Sequence, residues 1–357
     1  METHANPWPE APIMAEQVMK DLRGTSVFPE NPPPRVYHYT TPEGLAGILK
    51  TQCLHATDVL YMNDASEQAY ADSLIQRVIS ALDKDPLMGF LTETLRLKRQ
   101  REHVAIYAAC FCERGDLLSQ WRAYSNGGTG YAIELDWKAM AGPQPGPWPV
   151  AGKVEYDAKA QEALVERILG QAFKESLPEL KATIEGIRVG SITRDDLWPP
   201  AQKPQSPSAG EESVDLLQIA LDRIKSTERS SPDFLAGAMQ LGFAAAETVG
   251  RTKLVSPQVA AGLVRPFLKS SVFSQEEEWR LVGWLPPATI EQFRVKNGIL
   301  VPYTEFRAPG LTTLPITKII VGPGLHPQRA RDSLLRLLAQ SKLGHVPVEA
   351  SPIPLQV

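Results

Sequence analysis

The sequence predicts an α+β protein whose mixed β-sheet core is split by a large α-helical insertion. Three observations lead there. Segments with the alternating, β-branched and aromatic character of strands fall into two groups, one in residues 35–157 and one in 270–357. Residues 158–269 have helical periodicity instead. The prolines are clustered: seven lie in the first 34 residues, four between Pro143 and Pro149, and four between Pro199 and Pro207. A residue without an amide donor breaks both helix and sheet, so these tracts read as a leader and as joints. Neither strand group alone completes a sheet. One core with an insertion is therefore simpler than two domains: 1–34 a Pro-rich, disordered leader, 35–157 and 270–357 the two halves of the core, and 158–269 helical with a Pro-rich loop at 197–210.

The elements follow from local pattern. RVYHYTT reads as an opening strand, and Thr41 then caps a helix with Pro42 at its first position and Leu45, Ile48 and Leu49 on one face. A strand is expected around CLHATDVLYM, then a helix from Asp64, with Glu67 three residues on completing a capping box. A helical pattern near LTETLRLKRQREH, the strand VAIYAACFC, the short helix LLSQWRAY and the strand TGYAIELD close the first half. In the middle, AKAQEALVERILGQAFKESLPELKATIEG and DFLAGAMQLGFAAAETVG read as helices. EEEWRLVGWL, ILVPYTEF and ITKIIVGP resume the strands, followed by a helix through QRARDSLLRLLAQSK and a last strand VPVEA.

Composition bounds the function. With 37 Lys and Arg against 41 Asp and Glu, the net charge of −4 supplies no general basic field, which argues against a protein that coats nucleic acid. No apolar run approaches a membrane span, and the N-terminus METHANPWPEAPIMAEQ lacks the blocks of a signal peptide. A cytoplasmic protein without a membrane partner is expected. Three cysteines cannot frame a disulfide scaffold, and Cys110 and Cys112, on one face of a strand and with no nearby His, read as small core residues rather than zinc ligands. No metal is predicted.

Four constellations carry possible chemistry. Tyr37-His38-Tyr39-Thr40 puts His38 and Thr40 on one strand face and the two tyrosines on the other. Asn63, Asp64 and Glu67 mark a helix start, which serves equally as a structural cap or an anion site. Ser119, Gln120, Trp121, Arg122 and Tyr124 concentrate donors, a cation and two rings just before Gly127, Gly128 and Gly130, as a ligand-clamping element does. On a strand, Glu276, Glu278 and Arg280 share one face; two carboxylates among apolar flanks are costly unless used, and each raises the other's pKa, as suits a general base.

The ordered set YHYT, YMND..E, CFC, SQWRAY, G.GYAIELD, F..EEEWRLV and IIVGP, spanning Val36 to about Pro323, is similar to a bacterial family catalogued as domain of unknown function 2971. A second, distant resemblance is to the ADP-ribosyltransferase superfamily: a strand with His before Thr, a helix of the form x-G-L-x-x-I-L, and a later strand with Glu. It implies a core of ADP-ribosyltransferase-like type and an enzyme that uses NAD as substrate to modify a protein or nucleic acid, as a toxin or phage-defence effector does, and it leaves room for an inhibitory partner protein. It further implies that His38 orients the NAD ribose and amide and that Glu278, or Glu276, is the catalytic glutamate. Arg122 would then bind the pyrophosphate, and Tyr39 or Trp121 would hold the nicotinamide. Asn63, Asp64, Glu67, Thr40, Ser119, Gln120, Tyr124 and Arg280 complete the expected binding set. Two other readings stand beside it. One is a non-catalytic nucleotide-sensing module with a partner-binding helical insertion. The other is a metal-dependent nuclease built on Asp64, Glu67, Glu276 and Glu278.

Overall fold

The structure, a computed structural model, describes residues 22–62, 65–82, 105–125, 129–142, 149–191, 256–285, 292–296 and 298–354. It is a mixed α/β protein built on one ten-stranded, mostly antiparallel sheet. In chain order the strands are β1 (Arg35–Thr40), β2 (Leu54–Asp58), β3 (Ala105–Cys112), β4 (Tyr131–Asp136), β5 (Val150–Lys153), β6 (Glu278–Leu285), β7 (Gln292–Lys296), β8 (Ile299–Phe306), β9 (Ile316–Val321) and β10 (Val348–Ala350). The helices are α1 (Pro42–Thr51), α2 (Ala65–Leu82), α3 (Leu118–Tyr124), α4 (Trp137–Ala141), α5 (Ala158–Arg188), α6 (Ser256–Val264) and α7 (Pro327–Gln340). The one parallel pairing among the named strands joins β10 to β9.

The sheet divides at β3. On one side β3 pairs with β6 along its whole length, from Ala105↔Leu285 to Cys112↔Glu278. On the other side it is shared: β1 meets its end at Tyr37↔Cys112, and β2 meets its middle at Thr57↔Ala108 and Asp58↔Tyr107. Between these contacts β1 and β2 part. His38 fills the fork, its Nδ1 2.9 Å from the carbonyl of Cys110 and its ring against Phe111.

Alternation along β3 and β6 builds two cores. Ala108 and Val282 face one way, toward α2, α5 and α6. Tyr107, Ala109, Phe111, Trp279 and Leu281 face the other, toward α1, α4 and α7. Each helix presents the stripe its sequence carries. In α1, Leu45, Ile48 and Leu49 are buried and Thr41 accepts the amide of Gly44, as expected. In α5, Asp157 caps the start, and Leu164, Val165, Ile168, Leu169, Ala172 and Phe173 recur three and four apart in the core. The described helices of the 158–269 stretch thus cover one face of the sheet instead of standing off it.

Several expectations need correction. Residues 22–34, read as part of a disordered leader, are packed: Leu22, Val27 and Phe28 lie in the first core, and the Val27 carbonyl accepts from Lys153. The strand expected from Glu276 starts at Glu278 instead. Glu276 ends a 3-10 turn (Ser271–Glu276), and Glu277 follows in the left-handed region at φ 44°. Sequence periodicity also passed over β5, β7 and α4. The helical patterns at LTETLRLKRQREH and DFLAGAMQLGFAAAETVG lie outside the described residues, as do Asn63 and Asp64.

Candidate functional site

The densest chemistry lies where β6 meets the turn before it. Lys269 follows α6 and is almost fully buried. Its Nζ stands 2.7 Å from Glu67, 2.6 Å from Glu276 and 3.2 Å from Glu278. Arg280, two residues along β6 from Glu278, grips that carboxylate with both Nε and Nη2 at 2.8 Å. Its Nη2 also reaches Glu67 at 2.8 Å, and Nη1 donates to the carbonyl of Pro266 at 2.6 Å. The cluster is therefore drawn from α2, β6 and the segment between α6 and β6. The carboxylate of Glu67, expected to close a capping box, is spent on these two cations.

Electrostatics separates the three acids. Burial opposes ionisation of Glu278, but the adjacent Arg280 and Lys269 prevail and hold its carboxyl down to about 2. Burial likewise opposes the charge on Lys269, and the surrounding glutamates push its pKa up regardless. Glu276 goes the other way: burial pushes its carboxyl above the usual range, and Lys269 recovers only part. It is also the acid nearest solvent, its side chain 19% exposed against 7% for Glu278 and 8% for Glu67. Glu67 and Glu278 have both oxygens bonded to cations. Glu276 bonds Lys269 through Oε2 alone.

Neutral groups line the same place. The hydroxyl of Tyr156 accepts the amide of Glu278 at 3.2 Å. Burial pushes the Tyr124 hydroxyl up, and Glu276 and Glu278 push it further. The thiol of Cys110, opposite Arg280 in register, is raised by burial and then by Glu278.

The expected residues thus part company. Glu67, Tyr124, Glu276, Glu278 and Arg280 are brought together. His38 is not with them: by the pleat it shares its face with Ile133 and Phe111, while Glu278 shares that of Cys112, and the charges acting on it are those of Arg294 and His55. Burial, followed by Arg294 and His55, lowers its pKa and keeps the imidazole neutral. Tyr39 and Trp121 pack edge to face at 4.8 Å, with the phenol bonded to Arg114 and Leu117 and the indole to Asp116. Both are buried, which accounts for them as packing residues. Thr40 and Gln120 are also buried, whereas Ser119 and Arg122 are exposed, on the side of α3 away from Gln120 and Trp121. Gly130 does serve close approach, but to the backbone of Thr40.

Sequence reasoning missed Lys269 and Tyr156. Lys269 did carry a signal, since a lone lysine in the apolar run VRPFLKSSVF next to three glutamates is placed to be buried and paired. Tyr156 carried none.

Fold and site together define a mixed α/β protein with a buried, self-paired charge cluster at the start of a central strand. The sequence model of a family described as "Protein of unknown function (DUF2971)" matches residues 120–281. That match supports the family resemblance read from the motifs. It covers rather less than half of the chain, a shorter span than the motifs suggested, and runs straight across the helical stretch. It contains Tyr124, Tyr156, Lys269, Glu276, Glu278 and Arg280, but not His38 or Glu67. No curated protein and no solved structure matches the chain. No helix among the described residues is long and apolar enough to cross a membrane.

Proposed function

We propose that the chain is an ADP-ribosyltransferase-like enzyme that uses NAD, with Glu276 as the acting carboxylate. One observation carries this choice over Glu278. Of the three acids around Lys269, Glu276 alone keeps an oxygen unbonded to any described residue, at the rim of the cluster. Its raised pKa makes it a stronger proton acceptor than Glu278, whose pKa is lowered. Glu278 and Glu67, fixed by Arg280 and Lys269, act as the scaffold.

The charge balance fits the chemistry. Three carboxylates face two cations, so the cluster holds one negative charge in excess. Breaking the bond between nicotinamide and ribose builds positive charge on the sugar carbon, which a preorganised anion stabilises. The same excess repels a pyrophosphate, so the phosphates of the substrate lie away from the cluster. A metal-dependent nuclease fits less well: the Lys269 ammonium already stands where a divalent ion would bridge Glu67, Glu276 and Glu278.

The test is incubation with labelled NAD and protein, DNA and RNA acceptors, following label transfer and free nicotinamide. Glu276→Gln should lose about 10²–10⁴-fold in rate while unfolding at nearly the wild-type temperature. Wild-type protein that releases no more nicotinamide than Glu276→Gln defeats the proposal. Saturable NAD binding without turnover would then favour a nucleotide-sensing module.

A further inference from the structure

A second concentration of charge, of opposite sign, lies across the fork from the cluster. By register, Arg294 and Lys296 of β7 share one sheet face with Tyr303 of β8 and with His55 and Thr57 of β2. The ring of His55 stacks on Tyr303 at 4.1 Å and 27°. The Arg294 guanidinium lies over the same ring at 5.6 Å and donates from Nη2 to the Thr57 hydroxyl at 2.6 Å. Its Nε is buried and has no hydrogen-bond partner, and among the described residues no carboxylate pairs with Arg294. Glu305, opposite His55 in register, is bonded to Arg307.

The Arg294 guanidinium is thus uncompensated among the described residues. Burial lowers the pKa of Arg294, and its charge also depresses Lys296, His55 and His38. A buried guanidinium N–H with no acceptor is costly, and cations that repel one another add to the cost. Both costs vanish when an anion arrives. An arginine fork with one donor already steadied by Thr57 is preorganised for tetrahedral oxyanions such as phosphate. We propose that the face formed by Arg294, Lys296, Thr57 and the His55–Tyr303 stack binds a phosphoryl anion, with Arg294 as the fork that grips it. Binding there does not depend on the chemistry assigned to Glu276.

Titration calorimetry at fixed ionic strength tests this, with inorganic phosphate, pyrophosphate, ADP and acetate as probes. Pyrophosphate should bind wild-type protein saturably, about tenfold more weakly in Arg294→Gln, and unchanged in Glu276→Gln. Arg294→Lys, which keeps the charge without the fork and disturbs the strand least, should fall between them. ADP binding more tightly than pyrophosphate assigns the anion to a nucleotide, and equal affinities assign it to the free ion; either supports the site. The inference is overturned if wild-type protein shows no saturable binding, if Arg294→Lys binds as tightly as wild type, or if acetate competes as well as pyrophosphate. Loss of turnover in Glu276→Gln with pyrophosphate binding intact would keep the two proposals separable.

Discussion

On one side of β3, Lys269 and Arg280 are buried among three carboxylates, and every cation has an acid within 3.2 Å. On the other, across the fork, Arg294 keeps a buried Nε without an acceptor, and the rings of His38 and His55 are held neutral nearby. Both regions bury charge on one sheet, the first on the strand paired with β3 and the second on β7, with β2 and β8 between it and β3. The first resolves the cost internally, which fixes the position of each group. The second leaves it unresolved, and an unresolved cost is what a ligand can relieve. Rigidity and affinity are in this way assigned to different strands of the same sheet face.

The sharpest way to break this contrast is Arg280→Met. It strands Glu67 and Glu278 beside a single ammonium, and should cost about 3–5 kcal/mol in urea unfolding. A loss below about 1 kcal/mol would mean that the cluster behaves like a surface ion pair and is not the rigid side of the comparison.

Acid sharpens it next. The folded pKa of Glu278, about 2, lies below its ordinary value of 4.5, so its stabilisation is complete above about 4.5 and is lost as pH falls toward 2. Glu276, with a raised pKa, has the opposite sign: its penalty is relieved as pH falls. Glu278→Gln should therefore flatten the fall in stability between pH 4.5 and 2, while Glu276→Gln should not. Thermal melts across that window decide, and identical slopes for wild type and Glu278→Gln would contradict the assignment.

The smallest effect belongs to the fork. His38 has a lowered pKa, so its contribution is full above 6.5 and declines as pH falls below that value, when the imidazole must charge next to Arg294. His38→Gln should cost about 1–2 kcal/mol at pH 7.5 and remove the slope below pH 6.5, followed by chemical denaturation. A slope that persists unchanged would place the titrating group elsewhere.

Much of the fold was legible. Thr41 with Pro42, the stripe of α1 and the alternation of β3, β4 and β9 are local signals, and local physics decided them. β7 and β5 were not legible, because short strands of mixed character such as QFRVK and VAGK are defined by what they pair with. The site was legible in part for the same reason. Glu276 and Glu278 were picked out by a strand period that does not apply, since Glu277 turns the chain in the left-handed region and Glu276 sits on a 3-10 turn. They nevertheless converge, because Lys269 draws both.

The sequence by itself determined the coarse class of fold, the location of most of the described helices and strands, and the motifs in which the charged residues sit. Periodicity, caps and proline are short-range properties, and each is complete within a dozen residues. Only the tertiary structure decided that Glu67, Lys269 and Arg280 meet, that His38 stands apart from Glu278, and that Arg294 has a buried Nε and, among the described residues, no acid. Those are relations between segments tens to hundreds of residues apart, set by the division of the sheet at β3 and by the cost of burying charge, and no local pattern records them.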